Sequence, residues 1–127
     1  MHIDTQIKTI MLDLVKTVLL TPSIKVIQFF DKDDINLSNI PFTNIVKRSS
    51  AQYWFQQNNL DILLSSVLIS GVVTKFKIDG QDGMTLIPNA ITGTVGDYGS
   101  VADIKFNNTT WVVGSSVKLT RLYFFIR

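Results

Sequence analysis

The stretch SVADIKFNNTTWVVGSSVKLTRLYFFIR, residues 100–127, decides the fold. It reads as two extended segments, 101–106 and 117–126, around a short piece, 107–116, that carries one Trp and one Gly. In the first segment Ala102, Ile104 and Phe106 alternate with Asp103 and Lys105, so a pleated strand places the apolar set on one face and the charges on the other. In the last segment Leu122, Phe124 and Ile126 form one row, whereas Val117 and Leu119 fall on the opposite parity. That switch needs a bulge near Thr120 and Arg121, or a strand buried on both faces. An ending of Tyr-Phe-Phe-Ile-Arg exposes too much apolar surface to be left in water, so it belongs to a sheet or an interface.

Composition sets the bounds. A chain of 127 residues is expected to form one domain with a real core. It has no Cys, hence no disulfide, thiolate metal site or cysteine nucleophile. Charged residues make up 17%, against about 25% in an ordinary soluble domain, and the mean hydropathy is +0.25. So little polar surface predicts a homo-oligomer or a hetero-oligomer. Nine Lys and three Arg against ten Asp and no Glu leave a net charge of +2. The cations are scattered, with Lys47 and Arg48 the adjacent pair, and nucleic acid is not expected as a partner. The longest apolar run, 60–73, is interrupted by Asp61, Ser65, Ser66 and Ser70 and is too short for the ~20 residues of a spanning helix. The N-terminus lacks the basic region and cleavage site of a secretory leader. The chain is therefore read as soluble, with no membrane partner.

Outward from the C-terminal stretch, residues 2–20 carry the clearest helical pattern. Ile3, Ile7, Ile10, Met11, Leu14, Val18 and Leu19 recur at spacings of three and four, Asp4 can cap the start, and Pro22 stops the run. This amphipathic helix, residues 1–22, precedes a β domain over 23–127. Residues 23–30 read as a strand, 31–41 as a polar loop closed by Pro41, and 42–47 as extended. Residues 49–59 fit a strand or a short helix capped at Ser49 or Ser50, with the strand favoured. Residues 67–78 read as one β-branched strand. The two Asp-Gly pairs in 79–83 predict a hairpin, and Pro88 with Asn89 a further turn. Short strands with turn signals every eight to twelve residues favour an antiparallel β-sandwich or jelly-roll-like domain, mainly β, behind one helix.

The residues that could carry chemistry are few. Asp31, Asp33 and Asp34 lack the glycine and ligand alternation of a calcium loop. His2 is the lone histidine, so a serine–histidine–aspartate site has nothing to be built on. No phosphate-binding glycine pattern is present. The reading is a non-enzymatic protein with no catalytic residue, no metal site and no cofactor. Two surface readings remain. The helix stripe of Ile3, Ile7, Ile10, Leu14 and Val18 is expected to be an assembly interface if it does not pack on its own domain. Tyr53, Trp54 and Trp111 are candidates for stacking against sugar rings, if they are not simply core.

The residues Asp103, Ile104, Phe106, Trp111, Gly114, Val117, Leu119 and Leu122 form a pattern that resembles the C-terminal stretch of small bacteriophage virion proteins. There a strand ending in Asp-Ile-x-Phe leads through a polar turn and a glycine turn to a final apolar strand. The resemblance covers about a fifth of the chain. It implies a β-sandwich that assembles symmetrically as a tail, baseplate, fibre-adaptor or capsid-decoration component of the virion, made in the host cytoplasm. The implied partners are further copies of the chain or other virion proteins. A host surface glycan is the partner under the alternative, in which the sandwich is a carbohydrate- or receptor-binding module.

Overall fold

Asp4 caps the first element by accepting the Gln6 N–H at 2.9 Å. This starts α1, Thr5–Leu20, in the computed structural model, which describes residues 2–49 and 51–125. The helix closes where the Thr21 N–H donates to the Thr17 carbonyl, one residue before Pro22. Leu12 and Leu19 are buried, and Val15 and Leu20 pack beside them against the core. One face of the helix is therefore committed to its own domain.

The strands follow as β1 (Val26–Phe30), β2 (Asn36–Pro41), β3 (Asn44–Ser49), β4 (Gln52–Gln56), β5 (Ile62–Ser66), β6 (Gly71–Val72), β7 (Lys75–Asp82), β8 (Thr85–Asp97), β9 (Ile104–Phe106), β10 (Thr110–Trp111), β11 (Ser116–Thr120) and β12 (Tyr123–Phe125). The protein is mainly β with one N-terminal helix, and its curled sheets form a sandwich-like fold. The larger sheet runs β2-β1-β7-β8-β9. The other layer is built from β3-β4-β12, while β5 pairs with β11 and lies beside β2, and a small ribbon joins β6 to β10. The Phe55 N–H donates to the Leu122 carbonyl at 2.9 Å, so the β4–β12 pairing extends one residue past the start of β12. Between the layers lie Ile27, Phe29, Leu37, Ile40, Ile45, Phe55 and Leu63. Phe29, Phe106 and Trp111 meet edge to face, with ring centroids 5.1–5.7 Å apart.

The parity switch in the last stretch is resolved by its backbone. Arg121 adopts φ 60° between β11 and β12, which lets Val117 and Leu119 face inward before it while Leu122 and Phe124 pack on the core after it. Ile126, expected in that row, lies outside the described residues. Of residues 101–106 only β9 is strand, and it runs parallel to β8, with Val95 opposite Ile104. The remaining ladders are antiparallel.

Three local expectations differ from the structure. The supposed loop 31–41 is a turn only as far as Ile35, where the Asp31 carboxylate accepts the N–H groups of Asp33 and Ile35 at 2.8 and 3.0 Å. Then β2 pairs with β1, its polar residues satisfied in place: Ser38 donates to the Ser66 carbonyl at 2.7 Å, and Asn36 to the Phe29 carbonyl at 3.1 Å. The supposed single strand 67–78 is interrupted, because its amides bond elsewhere, Leu68 to Leu37 and Val73 to Thr109. Pro88 and Asn89 do not turn the chain. They form an irregularity inside β8, where the Asn89 N–H donates to Asp79 at 2.9 Å. The hairpin turn is at Gly83 and Met84, between the paired Asp82 and Thr85, and Gly83 takes φ +57°.

The absence of a side chain at Gly80 lets the helix approach β7. A Cβ there would stand 2.5 Å from Val18 Cγ1 and 3.2 Å from the Ala90 Cβ. A second tie crosses to the other layer, where the buried Tyr53 hydroxyl donates to the Asp13 carboxylate on α1. Burial, and then that carboxylate, push the Tyr53 phenol up to about 12. Gly80→Val should therefore lift the helix and cost about 1–3 kcal/mol in urea unfolding. Tyr53→Phe should cost about 1–2 kcal/mol at neutral pH. Because the folded pKa is raised above the ordinary phenol value of 10.0, this contribution is complete below that value and is lost as pH rises through the folded pKa. The stability difference between parent and variant should shrink across that window, and an unchanging difference would remove the tether.

Candidate functional site

Two surfaces gather the residues singled out by sequence. The first is the outward face of α1. Leu12, Val15 and Leu19 take up the inward face, and Ile7, Ile10, Met11 and Leu14 are left outside it, 53%, 55%, 39% and 65% exposed. They form a separate apolar stripe of two helical turns, rotated away from the core-facing residues. Ile3 lies ahead of the helix and is half-buried. Val18, expected in the stripe, is half-buried and reaches toward Gly80, so it belongs to the packing within the domain. The helix thus presents one apolar face to its own sheets and a second to solvent.

The second surface is the outer face of the β4–β12 pair. Alternation sorts the six rings of these strands. Tyr53, Phe55 and Phe124 point inward, with Phe124 stacked on Tyr53 at 5.7 Å and tilted on Phe55 at 5.6 Å. Trp54, Tyr123 and Phe125 point outward. The pairing sets Trp54 opposite Tyr123, with ring centroids 6.3 Å apart and planes 31° from parallel, and Tyr123 meets Phe125 at 5.8 Å and 23°. Guanidinium carbons of Arg48 and Arg121 stand 5.7 and 6.0 Å from the Trp54 ring. Arg48 also pairs with Asp61 at 2.6 Å. A hydrogen bond from Gln56, and then the one from Arg48, hold the Asp61 carboxyl below its usual range.

Two of the three stacking candidates are therefore corrected. Tyr53 is 2% exposed because β4 turns it toward the helix, and Trp111 is 7% exposed in the aromatic trio, its indole N–H donating to the Asn108 carbonyl at 2.9 Å. Trp54 alone reaches the surface, in company with Tyr123 and Phe125, which sequence reasoning did not single out. The signal was present in the parity of the last strand: if Leu122 and Phe124 face inward, Tyr123 and Phe125 face outward. Their meeting with Trp54 depends on a pairing between segments some 70 residues apart in sequence.

An open groove of 780 Å³ runs between residues 101–105 and 119–125, over Phe55, Phe76 and Ile78. Asp103 is the one carboxylate among the described residues lining it. It accepts the N–H and hydroxyl of Thr94 at 2.9 and 3.1 Å, which fixes the start of β9 to β8. Two of the three acids of the 31–34 turn are likewise engaged, Asp31 in its turn and Asp34 with Lys75 at 2.5 Å. Among the described residues no three His, Cys, Asp or Glu side chains converge as metal ligands, and no helix is long and apolar enough to cross a membrane.

Comparison with family models, with curated proteins and with solved structures finds no match to this chain.

The two tryptophans should separate in solution. Acrylamide should quench one component of the emission readily and leave the other protected, and Trp54→Phe should abolish the quenchable component. Quenching of both to the same extent would contradict the placement of Trp111.

Proposed function

We propose that this protein is a non-enzymatic structural subunit that works by assembling with further copies of itself or with other proteins. The observation that carries this reading is the outer stripe of α1. A helix already held to its own domain by Leu12, Leu19 and the Tyr53–Asp13 bond has no structural need for Ile7, Ile10, Met11 and Leu14 on its far side. Each such side chain, roughly half exposed, offers about 1 kcal/mol on burial, so the stripe contributes about 4 kcal/mol per copy. That does not by itself meet the cost of association, and other exposed apolar residues, such as Ile24 and Val101, are available to add to it. The low content of charged residues supports the same reading. The resemblance of the C-terminal strands to small bacteriophage virion proteins supplies the setting we infer, a tail, fibre-adaptor or capsid-decoration position in a virion.

Deleting the helix would be a poor test, because it would uncover the core around Leu12 and Leu19. Surface substitutions are cleaner. The parent protein should scatter light as a defined oligomer of its 14.3 kDa chain, or co-purify in one with its neighbour. Ile10→Lys with Leu14→Lys should dissociate it while leaving circular dichroism and thermal unfolding of the domain unchanged. A parent that stays monomeric at high concentration and in the presence of its virion neighbours would sink the proposal.

A further inference from the structure

We propose that the outer face of β4 and β12 is a binding site for an acidic glycan, a chain of pyranose rings bearing carboxylates. This goes beyond assembly through α1 and rests on different residues. Tyr123 and Phe125 are 45% and 43% exposed and, with Trp54, make a row of rings at 6.3 and 5.8 Å spacing, with planes 31° and 23° apart. A pyranose ring has an apolar C–H face that packs flat on such a ring and a hydroxyl edge that needs donors and acceptors together. The Arg48–Asp61 pair supplies both at the border of the row, the guanidinium donors that the pair leaves free beside an acceptor-only carboxylate. Arg121, beside Trp54, makes no ion pair within 4 Å among the described residues, and it is the group that would meet a sugar carboxylate.

The charges decide against the other ligands that stack on aromatic rings. Arg48, Arg121 and Asp61 sum to +1, too little for a strand carrying a phosphate on every nucleotide. An apolar protein face or a lipid surface would have to strip water from two guanidinium groups and a carboxylate without pairing them anew. A sugar chain leaves them hydrated or hydrogen-bonded and still covers the rings.

The test is calorimetric titration of the intact protein with polygalacturonate, polysialic acid, a neutral β-glucan and oligo-dT. Saturable binding to one of the two acidic glycans is expected, weakened about tenfold or more by Tyr123→Ala, with the fold unchanged by circular dichroism. Arg121→Gln should cost a similar factor toward the acidic glycan and little toward any residual binding of the neutral one. Failure to bind either acidic glycan overturns the proposal, as does binding that Tyr123→Ala leaves intact. Preferential binding of oligo-dT overturns it in favour of a nucleic-acid platform. None of these outcomes depends on the oligomeric state, so the assembly reading stands or falls separately.

Discussion

The antiparallel pairing of β4 with β12 is the constraint on which the rest of the molecule depends. It joins the middle of the chain to its end and completes the second layer of the sandwich. Because successive side chains on a strand point to opposite faces, fixing the register as Tyr53 with Phe124 and Trp54 with Tyr123 sorts every aromatic residue of these strands at once. A slip of one residue would place Trp54 in the core and Tyr53 in water. The inward rings then hold the helix, through the Tyr53 hydroxyl, and the outward rings form the exposed row. Core, helix docking and surface chemistry thus share one register.

The helix is the second consequence. A 16-residue segment is near the lower limit of what is helical alone, and its stability here comes from packing across both layers, onto Gly80 of β7 and beneath Tyr53 of β4. The Asp-Gly dipeptide at 79–80 therefore serves a purpose other than the turn its composition announces. Gly80 is small because Val18 stands over it, and Asp79 is acidic because it receives the amide of Asn89.

Much of this was legible in the residues, and the parts that were not have physical causes. The helix, its Asp4 cap, the mainly β class and the break near Arg121 follow from period, capping chemistry and parity, all local properties. β2 was hidden because Asn36, Ser38 and Asn39 look like loop residues until Ser38 and Asn36 are seen bonded to the chain around them, while Leu37 and Ile40 fill the core between. The run 67–78 read as one strand because β-branched composition says nothing about where each amide finds its acceptor. The surface site suffered most, since Trp54 and Tyr123 become neighbours only through long-range pairing. A helical stripe also looks the same whether it faces its own sheet or solvent, and here the helix does both with different residues.

The two surfaces lie on opposite sides of β4, and this bears on how they can be used. Tyr53 points to the helix and Trp54 away from it, so a copy docked on the outer stripe of α1 would approach from the side that the exposed rings do not face. Neither surface borrows a residue from the other. Substitutions at Ile10 and Leu14 therefore leave the ring row as it stands, and substitutions at Tyr123 and Arg121 leave the helix seated. If both surfaces are used, assembly multiplies the number of ring rows presented together, and several weak contacts made at once reach an avidity that no single row would have.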